Sequence, residues 1–513
     1  MRVLLINTNR ETAPDPVVPA GMAAVASAVE AAGHEVGVLD LCFTPRRQIG
    51  RTISRTLRGH RPDVVGLSIR NLDNCDALNP RSYLPEAAAV AERVREGFAG
   101  PLVIGGPAVG VAPGGMLEEV GADFAVAGEG ERSFVGLLAA LEEGQQGQRV
   151  PGVLARGSGG PPPEVGHGHP GGCSPEVGHG HSVSSAAAGA LRPADLDALA
   201  PVSLQRWIDL DPYLRRGATV PVQTKRGCAF RCTYCTYRQL EGSRYRSRSP
   251  EGVMAELAPV ARRWPRAVFE VVDATFNHPL EHALRLCETI ASSEASNPWT
   301  TLSVNPSETS LELFRLMRRA GFTGVGCTPE SASEQMLDRL EKGFGRQQLV
   351  GCARQLTEAG MPTLYMFLLG GPGETEETVE ETLAFITDHL GPRDLAFVTV
   401  GMRVYPGTPV ASRLAEQGWL EPGADLLAPR FYCSPHLDLA SLEKRLRRAQ
   451  REQRKLLLVN DTLILDLAPV RWLLRALGSR PPHWRHPLLQ RLFFRIHPFF
   501  RARQARLAGA GPA

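Results

Sequence analysis

From Met1 to about Gly144, short apolar runs alternate with longer stretches in which apolar residues recur at helical spacing. The runs at Arg2–Asn7, Glu35–Asp40, Asp63–Ile69, Pro101–Gly105 and Asp123–Ala127 predict strands; Gly21–Ala32, Pro85–Phe98 and Glu131–Glu142 predict helices among those between them. This alternation predicts a parallel, doubly wound α/β sheet of Rossmann-like form. Ligands of such sheets lie beyond the carboxyl ends of the strands, which gathers Asn7, Ser68, Arg70, Gly105, Gly106 and the Gly128-Glu129-Gly130-Glu131 turn around one crevice. Any one of these glycines reads equally well as a turn residue, but all five edges are polar or Gly-rich.

A second βα series runs from Val220 to about Pro409, with strands predicted at Val220–Thr224, Ala267–Asp273, Thr301–Asn305, Gly324–Thr328, Thr363–Leu369 and Leu395–Val400. Six strands with intervening helices predict a partial (β/α)6 barrel, whose chemistry lies at the strand C-termini. Between the two series, residues 157–190 are Gly, Pro, Ser, Ala and His, and the heptad Pro163–His169 is repeated at Pro175–His181. That composition predicts a linker, and its His-x-His pairs offer a metal no fixed geometry. Asp195 to Tyr213 reads as an ordered connector. The expected layout is a first domain over 1–148, linker and connector over 149–214, the barrel over 215–435 and a basic helical region over 436–513.

Composition agrees with several domains: 513 residues, 43% hydrophobic, 22% charged, net charge +3. These values exclude a disordered chain and an overall basic nucleic-acid binder. No apolar run reaches the roughly 18 residues that span a bilayer, and MRVLLINTNR reads as a strand and not a signal peptide, so a cytoplasmic location is expected. The charge is uneven. Residues 441–513 carry 16 Lys+Arg against 4 Asp+Glu, leaving about −9 on the remainder. Within this tail, Leu488–Arg503 is basic and aromatic, fitting either an anchor on anionic lipid or a cap docked on the acidic remainder.

Ten cysteines are scattered except at Lys225-Arg-Gly-Cys228-Ala-Phe-Arg-Cys232-Thr-Tyr-Cys235, directly after the first barrel strand. Three thiolates on one short loop suit three irons of a four-iron cluster. Structural zinc takes four ligands, and no further Cys or His follows within the next 40 residues.

This loop, with its aromatic Tyr234 before the third cysteine, resembles that of the radical S-adenosylmethionine (SAM) superfamily. The resemblance implies a 4Fe-4S cluster on Cys228, Cys232 and Cys235, SAM chelated at the open iron, and reductive cleavage of SAM to a 5′-deoxyadenosyl radical. It also implies SAM contacts at Tyr234, Asp273, Ser303, Asn305, Glu330, Ser331, Gly370 and Arg403, each at a strand end. Asp273 stands where the family usually has a Gly-Gly-Glu motif. Singly, Asp273 or Glu330 also fits a helix N-cap or a surface carboxylate.

A doubly wound domain ahead of such a barrel resembles the cobalamin-dependent branch of that family. The first loop lacks the Gly-x-Gly-x-x-Gly of a dinucleotide site, and the third strand ends without the acceptor Asp of a response regulator. The resemblance implies cobalamin contacts at Asn7, Thr8, Gly21, Ser68, Arg70, Asn71, Asp73, Gly105, Gly106, Gly128, Glu129 and Gly130. No His lies between Asn7 and Gly21, so cobalt is expected to be base-off, with Arg70 near its lower face unless Arg70 is a solvated loop cation. The implied activity is methyl transfer through methylcobalamin to an unactivated carbon, with a small-molecule or lipid-like substrate, a flavodoxin- or ferredoxin-type reductant and no nucleic acid. A radical cyclase without methyl transfer, or an iron–sulfur or cobalamin sensor without turnover, are the alternatives.

Overall fold

The computed structural model describes residues 1–12, 15–145, 150–157, 192–421, 424–453 and 455–458. The first sheet holds β1 (Arg2–Asn7), β2 (Glu35–Asp40), β3 (Val64–Ser68), β4 (Leu102–Gly105), β5 (Phe124–Val126) and β6 (Val153–Ala155) in the order β2-β1-β3-β4-β5-β6. The first five are parallel, and their order reverses at β1/β3. Helices 20–31 and 130–142 pack on one face around Met22, Ala26, Phe134 and Leu138; helices 49–60, 84–95 and 113–120 pack on the other around Ile53, Val90 and Met116.

β6 corrects the expected boundary at 148. A turn closed by Val153 N–H on the Val150 carbonyl sends β6 back antiparallel along β5. Residues 150–157 thus complete the first domain, and three residues after a polar stretch are too short to carry a strand pattern. The repeated heptad lies outside the described residues. The connector docks on the first domain: Trp207 Nε1 donates to Ser27 Oγ (2.9 Å) and the Tyr213 hydroxyl to Asp40 (2.6 Å).

The second sheet contains β7 (Val220–Val222), β10 (Phe269–Val271), β11 (Trp299–Val304), β12 (Phe322–Glu330), β13 (Thr363–Leu369), β14 (Leu395–Val400) and β17 (Leu456–Leu458), all parallel. Two small ladders flank it, β8 (Lys225–Arg226) with β9 (Arg246–Ser247) and β15 (Met402–Arg403) with β16 (Phe431–Tyr432). One face is buried against helices through Phe269, Trp299, Phe322, Phe367 and Val398. The sheet has seven strands where six were expected, so the C-terminal region is not wholly helical. After helix 439–452, Leu456–Leu458 becomes a strand only by pairing with the free edge of β14, a partner no local pattern announces.

Candidate functional site

All three motif cysteines lie in the excursion between β8 and β9. Gly227 begins it at φ +92°, and a Cβ there would sit 2.0 Å from the Arg244 carbonyl oxygen, so only glycine fits. Cys228 N–H donates to the Gly242 carbonyl (3.0 Å) and Thr233 N–H to that of Leu340 (3.1 Å), while the Phe230 ring lies against Gly343. The loop is thereby gripped by its own hairpin and by the turn following helix 334–339. Burial raises all three thiol pKa values, Cys235 to about 12, so deprotonation awaits a metal that compensates the charge. Among the described residues no three His, Cys, Asp or Glu side chains converge on a single ion. Three thiols on one loop suit three irons of a cluster.

Lys225 and Asp273 are buried at 1% and 2% exposure. Asp273 Oδ1 accepts from the backbone N–H of Thr224 (2.8 Å) and Lys225 (3.2 Å); Oδ2 accepts from Thr224 Oγ1 (2.5 Å) and Lys225 Nζ (2.9 Å). A carboxylate offers about four acceptor directions, and here all are filled by the chain itself. Asp273 thus pins the start of the cluster hairpin to the end of β10. His282 joins through Thr224 Oγ1 (3.0 Å), its pKa lowered to about 4 by burial and Lys225.

Three more of the expected SAM residues have partners within the chain. Ser331 Oγ is buried beside Thr382 of helix 376–389 and accepts from Ser333 N–H. Gly370 N–H donates to the Glu374 carboxylate. The Arg403 guanidinium donates to Asp73 Oδ2 (2.7 Å) and to the carbonyls of Val404 and Leu426, tying it to the first domain. Ser303 remains half-buried, and Asn305 uses its carbonyl oxygen for Ser307 N–H. Tyr234 and Glu330 meet: the phenol donates to Glu330 Oε1 (2.9 Å) and accepts from Lys342 Nζ (3.0 Å). Glu330 holds this position at φ +65°, uncommon for a non-glycine residue.

On the first sheet, the register aligns Asn7, Ser68 and Gly105 on three adjacent strands. Asn7 and Thr8 shape this edge from beneath, donating to Asp40 Oδ1 (2.8 Å) and the Ser68 carbonyl (3.0 Å). Gly106, at φ +106°, brings its backbone so near Ile69 that a Cβ would lie 2.5 Å from that carbonyl oxygen. Ser68, Gly105, Gly106, Gly128 and Gly130 are partly accessible, and Gly21 faces open space. Two of the expected cobalamin contacts tie the domains together. Asp73 holds Arg403, and Glu129 holds Arg226 (2.8 Å) and Arg246, with Glu131 on Arg226 as well. All these side chains are nearly buried, where an unpaired charge is costly, so each carboxylate takes the nearest cation.

Arg70 is exposed, yet burial lowers its pKa against the opposing influence of Tyr237, Glu270 and Tyr83. It stands two residues beyond the end of β3. Asn71, in the amide orientation that satisfies both contacts, bonds the Arg70 carbonyl and guanidinium at 3.0 Å each. Among the described residues only three large apolar side chains are exposed: Tyr237 (40%), Val272 (39%) and Trp419 (40%). Tyr237 follows the cluster loop and Val272 ends β10. Small residues at the strand ends of the first sheet leave its edge open to a flat macrocycle such as cobalamin.

Lys225, Lys342, Tyr237 and Val272 were not among the expected site residues. A compositional signal marks the two lysines: of 57 Lys+Arg only four are Lys, at 225, 342, 444 and 455. The two that are buried, at 1% and 4% exposure, both touch the cluster loop or begin it.

Comparison with known proteins agrees with this arrangement. Residues 6–138 match the B12 binding domain family and residues 222–386 the radical SAM superfamily. The chain is 30% identical over 456 residues to tryptophan 2-C-methyltransferase of Streptomyces laurentii, spanning 81% of this chain and 74% of that one. It is 24% identical to cytidylyl-2-hydroxyethylphosphonate methyltransferase of Streptomyces wedmorensis, covering 83% and 84%. In fold it resembles the radical SAM methyltransferase TsrM of Kitasatospora setae, solved with cobalamin and a [4Fe-4S] cluster, at a TM-score of 0.79 and 23% identity over 97% and 99% of the two chains. A cluster loop held against a glycine-edged crevice, together with this likeness along most of its length, makes the chain a member of the cobalamin-dependent radical SAM family.

Proposed function

We propose that this enzyme is a methyltransferase that moves a methyl group from SAM, by way of cobalamin, to an unactivated carbon of a small-molecule substrate. The observation that carries this reading is the locking of the two edges toward one another: Arg226 and Arg246, on the hairpin bearing the cysteines, are held by Glu129 and Glu131 of the first domain, and Asp73 holds Arg403. Bound there, the cluster supplies electrons, SAM the methyl group and cobalamin its relay. Cys228, Cys232 and Cys235 would hold the cluster, Ser68, Gly105, Gly106, Gly128 and Gly130 would leave room for cobalamin, and Arg70 would be its neighbour beyond β3. Tyr234, Asp273, Ser303, Asn305, Glu330, Ser331, Gly370 and Arg403, around the cluster loop and the strand ends of the second sheet, are the residues proposed to serve SAM. The relatives named for methyl transfer support the reaction, and the tryptophan named for one of them supports a small-molecule substrate.

A flavodoxin- or ferredoxin-type protein is proposed as the reductant, in the cytoplasm, with no part for nucleic acid. No helix of the described residues is long and apolar enough to cross a membrane. Peripheral lipid contact would belong to residues 481–513, outside the described residues; salt-sensitive binding to anionic vesicles, lost on removing those residues, tests it.

The decisive experiment incubates the reconstituted enzyme, methyl-deuterated SAM and reductant with extract of the source cells under anaerobic conditions. A product heavier by a labelled methyl is expected. Formation of an unlabelled cyclised product would overturn methyl transfer in favour of a cyclase.

A further inference from the structure

Lys342 is a buried cation at the back of the cluster loop. Its Nζ lies 3.0 Å from the Tyr234 hydroxyl and 3.7 Å from Glu330 Oε1, and Tyr234 directly precedes the ligand Cys235. The turn that carries it is fastened to the loop twice more, by Thr233 N–H on the Leu340 carbonyl and by the Phe230 ring on Gly343. Its side chain is 5% exposed, so the charge acts through protein and not through screening water. The rings of Tyr234 and Phe344 lie 5.5 and 5.9 Å from the ammonium and add to its enclosure. In a chain that writes nearly every other cation as Arg, this position is Lys. A compact ammonium offers three donors at one point, whereas a guanidinium is a planar fork that the Tyr234–Glu330 pair has no second carboxylate to meet.

We infer that Lys342 and Glu330 are an opposed pair of positioning residues that sets the reduction potential of the cluster on Cys228, Cys232 and Cys235. Adding an electron makes the cluster more negative. A fixed positive charge nearby stabilises the reduced form, and a fixed negative charge opposes it. Lys342 therefore raises the potential and Glu330 lowers it, and Tyr234 sits between them as the hydrogen-bond bridge. The inference rests on the assignment of the cluster to these cysteines.

The test is a redox titration of the reconstituted holoenzyme followed by paramagnetic resonance of the reduced cluster, with iron and sulfide counted in every variant. Lys342→Met is expected to shift the midpoint to more negative potential and Glu330→Gln to more positive potential, each by about tenfold in the reduced-to-oxidised ratio at fixed ambient potential, or about 59 mV for a one-electron couple. The double variant should return close to the unmodified protein. Opposite signs separate electrostatics from damage, because a loosened loop would move both variants the same way. If Lys342→Met fails to load, the upward shift of Glu330→Gln alone still decides. Shifts of one sign, or no shift in a fully loaded Glu330→Gln protein, overturn the inference and leave the cluster assignment standing. Absence of iron and sulfide from the unmodified protein would instead remove the assignment itself.

Discussion

At the residue scale, each thiol of the cluster loop has a raised pKa, so the loop is built for a charge it does not itself supply. Replacing Cys228, Cys232 and Cys235 together with Ala should abolish the iron–sulfur absorbance while cobalamin remains bound, since the crevice lies on another sheet. Undiminished iron and sulfide in that protein would count against the assignment. A different carboxyl shows what burial alone does. Glu374 is fully buried, accepts from the N–H groups of Gly370 and Gly371, and leaves Oε1 without a partner. Burial, opposed by those two donors, raises its pKa from 4.5 to about 7. The folded state thus holds this proton more tightly than the unfolded chain. Its stabilising contribution is complete below about pH 4.5 and is lost as pH rises through about 7. Glu374→Gln keeps an acceptor for the two N–H groups and cannot ionise. Relative to the unmodified protein it should gain up to about 3 kcal/mol between pH 5 and pH 8, read as the change in the difference of unfolding midpoints. A difference that stays level with pH would show that the carboxyl titrates alike in both states.

At the element scale, the hairpin of β8 and β9 is the device that presents the cysteines, and Gly227 is its narrowest point. Gly227→Ala cannot be absorbed by rotating a side chain, because the obstacle is the Arg244 backbone carbonyl. The hairpin must open. The expected cost is on the order of 1–3 kcal/mol for the strained residue, accompanied by poor cluster loading with cobalamin affinity unchanged. Full loading of Gly227→Ala, measured as iron per chain, would mean the hairpin yields elsewhere. Gly106 plays the corresponding part in the crevice. A Cβ there would strike the Ile69 carbonyl, so Gly106→Ala should weaken cobalamin binding and spare the cluster.

At the scale of the whole molecule, function needs two sheets to keep one relation, and buried ion pairs hold it. Asp73 and Arg403 are 0% and 4% exposed at their side chains. Asp73→Ala leaves the guanidinium buried and uncompensated, a loss of about 3–5 kcal/mol; it should lower the unfolding midpoint and, at temperatures where the fold survives, weaken cobalamin retention. An unchanged midpoint would show that Arg403 finds other partners. The same relation governs cobalt. With no His between Asn7 and Gly21, and Arg70 the proposed neighbour of cobalt, paramagnetic resonance of the bound cob(II)alamin should show cobalt lines without the triplet splitting of an axial nitrogen. Triplets would mean that a nitrogen donor reaches the metal from elsewhere, and the place given to Arg70 would be withdrawn.

The sequence by itself determined what depends on local order. β1, β2, β13 and β14 fall at the predicted residues, because strand pattern and turn chemistry are properties of neighbouring positions. The three cysteines declare themselves by spacing for the same reason. Tertiary structure decided everything that depends on which distant group arrives first at a buried charge. Asp273, Arg403, Asp73 and Glu129 were legible as functional polar residues at strand ends, but not their partners: Asp73 and Arg403 are 330 positions apart. Once buried, a carboxylate or guanidinium must be paired, and only folding decides which distant cation or carboxylate reaches it. β6 and β17 came into view only in the same way, since three apolar residues become a strand when an open sheet edge offers their backbone its hydrogen bonds.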